Sequence, residues 1–192
     1  MKWLFMLLML MVFGFLDSAR AGLIDRGGGL IYDDDLKITW LKDANYAMTS
    51  GYDETGTMSW GEAIAWVSNL EYGGFDDWRL PQSDTCTGKN CTGSEMGHLY
   101  YTEDVTSSTH GLFINVQSYT YWSGTEYDSE KAWRFSFSSG DQNFIDKDYK
   151  RYAWAVRDGD FTPPVVPEPV SSILFVAGGA TFAVRGYFRK KK

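Results

Sequence analysis

Ser59-Trp60-Gly61-Glu62-Ala63-Ile64-Ala65-Trp66-Val67-Ser68-Asn69-Leu70, continued by Glu71-Tyr72-Gly73-Gly74-Phe75-Asp76-Asp77-Trp78-Arg79-Leu80-Pro81, carries the strongest structural signal in the chain. Ser59 with Glu62 three residues on has the form of a capping box, in which side chain and backbone satisfy each other's orphan groups at a helix start. Ala63, Ile64, Val67 and Leu70 then recur at helical spacing, flanked by Trp60 and Trp66. Gly73-Gly74 is the expected stop. Pro81 biases Leu80 to an extended backbone, so the Trp78-Arg79-Leu80-Pro81 run leaves the helix as an extended segment.

Upstream, Leu30-Ile31-Tyr32 and Leu36-Lys37-Ile38-Thr39-Trp40-Leu41 flank Asp33-Asp34-Asp35. β-branched and aromatic flanks around turn-forming aspartates predict a β-hairpin. Thr49 to Thr57 is rich in Gly, Ser, Thr and Asp and reads as disordered. Downstream, Ser94 to Tyr101 predicts a second, weaker helix. Tyr119 to Glu126 predicts a strand, and both its faces carry aromatics. Ala132 to Ser138 alternates, with Trp133, Phe135 and Phe137 on one side. Ser139-Gly140-Asp141 reads as a turn, Phe144-Ile145 as the start of a short strand, and Arg151 to Arg157 as the last strand. A hairpin, one or two helices and several antiparallel strands joined by long loops make an α+β domain.

The ends belong to a different chemistry. One cation, Lys2, precedes an apolar run from Trp3 to Leu16, and Ala19 and Ala21 stand at the positions a signal peptidase reads. Residues 1–21 therefore read as a cleaved signal peptide, with an uncleaved anchor as the alternative. Pro163 to Pro169 forms a Pro-rich linker. Val170 to Val184 is apolar, and Arg185, Arg189, Lys190, Lys191 and Lys192 close the chain, so residues 170–192 read as a short membrane-spanning tail with a basic cytoplasmic end. Pro167, Glu168 and Pro169, the apolar stretch and the basic end together resemble a PEP-CTERM sorting signal. That resemblance implies a bacterial protein handled by an exosortase and the export machinery, in transit through the inner membrane to the cell surface or extracellular matrix, and a link to exopolysaccharide.

Residues 22–162 remain as one domain, long enough to bury its own core. The whole chain has a formal net charge of −7. The domain is more acidic still, because five cations sit in the C-terminal tail. Such a surface repels nucleic acid. Cys86 and Cys91 bound one short loop, which in an oxidising compartment reads as a local disulfide. A metal or redox pair is the other reading, but His98 and His110, the only histidines in the chain, have no ligand spacing.

No Ser-His-Asp pattern, metal motif or phosphate loop appears, and Gly27-Gly28-Gly29 precedes a strand rather than following one. These absences argue against catalysis. Two groups of residues remain as candidate sites. Asp141, Asn143, Asp146 and Asp148 place oxygens close together in sequence, as do the three aspartates from Asp33 to Asp35, which makes calcium the one conceivable cofactor, although EF-hand spacing is missing. Tyr121, Trp122, Glu126 and Tyr127 combine aromatic faces with a carboxylate, the chemistry of a lectin-like sugar site. The alternative is that these aromatics fill the core.

Four pieces resemble the Lcl C-terminal domain family: Leu36 to Leu41; the segment ending Trp78-Arg79-Leu80-Pro81; Tyr121-Trp122-Ser123-Gly124-Thr125-Glu126-Tyr127; and Tyr152-Ala153-Trp154-Ala155-Val156-Arg157-Asp158-Gly159. The resemblance implies a C-type lectin-like fold, related to that of formylglycine-generating enzymes, whose first and last strands pair. It implies a domain of unassigned chemistry whose relatives serve adhesion or ligand binding. The expected role is a non-catalytic module that binds polysaccharide or adheres to a surface, with a secreted enzyme acting on matrix polysaccharide as the alternative. Trp78, Trp122, Trp133 and Trp154 are expected as buried anchors, and Arg79 and Arg157 as braces for loop carbonyls or acidic side chains, with a ligand site as the alternative for these residues.

Overall fold

The computed structural model describes residues 22–161. The signal peptide, the Pro167-Glu168-Pro169 motif and the apolar tail lie outside the described residues.

The chain opens with an antiparallel meander of β1 (Leu23–Gly27), β2 (Leu30–Asp33) and β3 (Ile38–Leu41). Gly27-Gly28-Gly29 is the first turn of that meander. Its φ angles of +74°, +59° and +80° lie in the left-handed region that glycine enters without a Cβ clash. The glycines therefore follow a strand, contrary to the sequence reading, but they lead into another strand and not a helix. The aspartate turn is the second. Asp33 accepts from the backbone N–H groups of Asp35 and Leu36 at 3.1 and 3.0 Å, and this local bonding closes the hairpin. Every residue of β2 and β3 is buried, which is why the pair reads as apolar runs without alternation.

The stretch that read as disordered is ordered. It runs from the last residue of α1 (Tyr46–Thr49), through a loop organised by Asp53, to the first residue of β4 (Thr57–Met58). Asp53 accepts from the N–H groups of Thr55 and Gly56, both at 2.8 Å, so polar composition here marks a tightly bonded turn. Next comes α2 (Trp60–Ser68) with both halves of the Ser59–Glu62 capping box formed. It ends earlier than Gly73-Gly74, because the Asn69 side chain donates to the Ala65 carbonyl at 2.7 Å and caps the last turn. The glycine pair instead makes a two-residue turn between Tyr72 and Phe75, whose backbones exchange two hydrogen bonds of 3.0 Å. The second expected helix is α3 (Glu95–Tyr101), capped by the Ser94 hydroxyl.

The remaining strands are β5 (Thr120–Glu126), β6 (Lys131–Ser136), β7 (Asp141–Asp146), β8 (Arg151–Tyr152) and β9 (Val156–Asp158). They complete two sheets, in the orders β1-β2-β3-β9 and β4-β8-β5-β6-β7. The β5–β8 pairing is parallel, so the second sheet is mixed. Residues 151–157 are therefore not one strand but two, and each belongs to a different sheet. Ala153-Trp154-Ala155 makes the crossing, with Trp154 donating to the Leu41 carbonyl at 2.7 Å and Leu41 N–H to the Ala155 carbonyl at 3.0 Å. It is β3, the third strand, that pairs antiparallel with the last.

The core lies around that crossing. Trp40, Trp122, Trp154, Tyr121, Phe135 and Phe137 are fully buried. Trp154 meets Trp40, Phe113 and Phe137 at ring separations of 5.2, 4.9 and 5.5 Å, in edge-on or tilted arrangements that suit the ring quadrupoles. Buried indole N–H groups need acceptors, and Trp122 finds the Met58 carbonyl at 2.9 Å. Trp78 and Trp133 are also buried.

The two arginines brace the join. Arg79 makes a two-pronged bond to Glu95 on α3, at 2.9 and 2.8 Å, and reaches Asp158 on β9. Burial works against the Arg79 charge, but Glu95 and Asp158 more than offset it and hold its pKa above the usual value. Arg157 grips Asp77 at 2.7 and 2.9 Å and lies 3.8 Å over the Phe75 ring.

Candidate functional site

Strand register builds the most promising surface. Trp133 on β6 stands directly opposite Phe144 on β7, so both side chains leave the same face of the sheet. Tyr127, immediately after β5, folds over them. Its ring lies parallel to that of Phe144, with centroids 3.6 Å apart and planes 9° apart, while Trp133 meets both edge-on. Trp133 is buried beneath, and Tyr127 is 48% exposed. The result is an aromatic platform with one open ring.

A shallow groove of about 430 Å³ runs along this platform, lined also by Ser83, Asp84, Thr85, Thr87, Thr125 and Glu126. Hydroxyls and carboxylates thus border apolar ring surface. The wall is held rigidly. Cys86 and Cys91 are joined in a disulfide with their Cα atoms 5.5 Å apart, as the sequence reading expected. Within that loop Gly88 exchanges two 2.8 Å backbone bonds with Gln142 on the edge strand β7. The buried Gln142 side chain donates to Asp84 at 2.6 Å and to the Cys86 carbonyl at 2.8 Å. The loop thereby covers a sheet edge that would otherwise present unpaired backbone groups.

Of the four aromatic and acidic candidates, Glu126 and Tyr127 line the groove, and the Glu126 carboxylate is paired with Lys147 at 2.6 Å. Tyr121 and Trp122 do not reach it. Both are fully buried, and burial pushes the Tyr121 hydroxyl well above its ordinary pKa. Alternation in the sequence could not decide this, because β5 is covered on both faces.

The proposed calcium ligands are spread by the strand they occupy. Asp141, Asn143 and Asp146 lie in β7, where side chains alternate and each residue advances about 3.3 Å. Asp141 and Asn143 share a face, Asp146 takes the other, and Asp148 follows in the turn. Asp141 also faces the guanidinium of Arg134, at 3.8 Å, so its charge already has a partner. Four oxygens close in sequence are thus distant in space.

A different acidic group does converge, between the β2–β3 turn and α3. His98 Nε2 lies 3.8 Å from Asp33 Oδ1, 3.8 Å from Asp35 Oδ2 and 3.7 Å from Glu103 Oε1. The ligand atoms of Asp35, His98 and Glu103 all fall within 4.8 Å of one another. Asp33 is fully buried. Burial raises its carboxyl pKa, against the lowering effect of the Leu36 N–H and the His98 ring. No motif spacing could have shown this, because the hairpin turn and α3 are far apart in the chain.

Two mainly antiparallel sheets, three short helices and long ordered loops are consistent with a C-type lectin-like fold, the class the sequence pieces implied. The chain belongs to the Lcl C-terminal domain family, whose model matches residues 29–157, a family with no assigned function. No curated protein matches the chain.

Proposed function

We propose that this chain is an exported, non-catalytic binding module that holds polysaccharide at the cell surface or in the extracellular matrix, through the groove along Tyr127. One observation carries the reading: an exposed ring, stacked on Phe144, set among hydroxyl and carboxylate side chains on a disulfide-pinned wall. Sugars present apolar C–H faces ringed by hydroxyls, and ligand sites of that chemistry combine a flat apolar surface with a few fixed polar groups. The terminal segments support the export half of the reading, with exosortase and the export machinery as partners and the tail as a membrane contact.

The test is affinity electrophoresis of the full-length chain through gels containing a panel of acidic and neutral polysaccharides, for wild type and Tyr127→Ala. Retardation by one class, lost in Tyr127→Ala, supports the module. No retardation in any gel overturns it. Depolymerisation of a polysaccharide during the run supports instead a secreted enzyme acting on matrix polymers.

A further inference from the structure

We propose that Asp35, His98 and Glu103, seated on Asp33, form a binding site for one first-row divalent metal ion of the zinc and manganese class. The case begins with what the cluster lacks. The nitrogen His98 Nε2 is buried and has no hydrogen-bond partner, and Asp33 Oδ2, on a fully buried residue, has none either. Buried polar atoms are almost always satisfied, so an orphaned ring nitrogen and an orphaned carboxylate oxygen on adjoining residues call for a missing partner. The separations of 3.7 and 3.8 Å between Nε2 and three carboxylate oxygens are too long for hydrogen bonds. They suit ligands around an ion. Two donors each about 2.1 Å from a metal at a tetrahedral angle lie about 3.4 Å apart, so a small inward shift closes the site.

The donor set selects the ion. Calcium and magnesium take oxygen ligands, and calcium asks for six to eight of them. An imidazole nitrogen joined to carboxylates suits zinc, manganese or iron(II). Asp33 supplies the support such sites need. One of its oxygens is fixed by the turn N–H groups of Asp35 and Leu36, which holds the carboxylate in place beside the His98 ring. A bound ion would place positive charge among the three carboxylates that surround His98 Nε2. It would also clamp the β2–β3 turn, in the first sheet, to the end of α3, which runs on from the disulfide loop.

The test exploits the histidine count. With His98 and His110 the only two imidazoles, each can be followed separately by NMR of the full-length chain. His110 Nε2 is engaged with the Ser107 carbonyl at 2.9 Å and serves as the internal control. After chelator treatment, zinc or manganese chloride is expected to perturb the His98 signals at one equivalent, leave His110 in place and raise Tm. Calcium chloride is expected to do neither. Asp35→Asn and Glu103→Gln should each weaken binding at least tenfold, and Asp33→Asn, which keeps the turn acceptor, by about ten- to a hundredfold. Unmoved His98 signals at saturating zinc and manganese overturn the proposal. So do a response centred on His110, equal binding of calcium, or full affinity in both Asp35→Asn and Glu103→Gln. A variant that loses folding is recognised by the collapse of the His110 signal, and the remaining variants then decide.

Discussion

The molecule contains two aromatic clusters built from the same residue types but opposite in exposure. Around Trp154, rings from β3, β5, β6 and the Phe113 loop interlock with no exposed edge. Around Phe144, on the edge strand, Trp133 and Tyr127 pack as closely, yet the outermost ring is left open to solvent. What separates them is position in the sheets. The first cluster sits where β8 and β9 draw the two sheets together, and the second sits on the last strand, where no further layer covers it. Aromatic density alone therefore does not set exposure; position in the sheet does.

That contrast can be broken by experiment. The largest effect is expected from Trp154→Ala, which removes a fully buried ring and a hydrogen bond, at a cost of about 3–5 kcal/mol in urea unfolding. A cost below 1 kcal/mol, on the order of a surface substitution, would show that the core tolerates a void and would erase the difference between the clusters. Reduction of Cys86–Cys91 comes next. The bridge closes a very short loop, so it contributes about 2 kcal/mol at most. The domain should stay folded while hydrogen exchange quickens at Gly88 and Gln142; cooperative unfolding would place the loop in the core and not in the groove wall.

Tyr127→Ala should cost only about 1 kcal/mol of stability or less, since half the ring is already exposed. Polysaccharide affinity should nevertheless fall about tenfold, equivalent to ~1.4 kcal/mol. Tyr52→Ala, at an exposed ring outside the groove, should leave it unchanged. The smallest effect is that of acid. Arg157 beside Asp77 holds that carboxyl below its ordinary pKa, Lys42 does the same for Asp25, and the Thr55 N–H does so for Asp53. A carboxyl with a lowered native pKa stabilises the fold above the unfolded value of about 4, and the stabilisation is lost as pH falls through the native value. Asp33, raised by burial, works the other way, favouring the fold at low pH and opposing it as pH rises past about 4. Glu62 and Asp128 are lowered as well, by backbone N–H groups, so with five lowered carboxyls against one raised the urea midpoint should drop modestly on acidification below about pH 4. An unchanged midpoint would mean that these exposed pairs are neutral.

Local chemistry was legible where it was local. The capping box, the aspartate turn, the strand β6 and the disulfide each depend on residues a few positions apart, and each formed. Arg79 and Arg157 were expected to brace acidic groups and do so. What sequence could not supply was sidedness and long-range meeting. Tyr121 and Tyr127 lie in one run, yet one is core and the other surface. Asp141 and Asp146 looked adjacent until an extended strand separated them. His98 carried no spacing signal because its partners come from the turn between β2 and β3 and from the segment after α3.

The short crossing from Arg151 to Asp158 bears on timing. β8 joins β4 to β5, and β9 completes the other sheet, so neither sheet is finished until that segment is in place. A chain emerging from its N-terminus delivers those residues last. Neither sheet can therefore be completed until nearly all of the domain has been made. Its late, long-range closure makes folding slow relative to a helical protein of equal size. In the exported role proposed above, that delay would keep the chain threadable until it had passed a narrow channel.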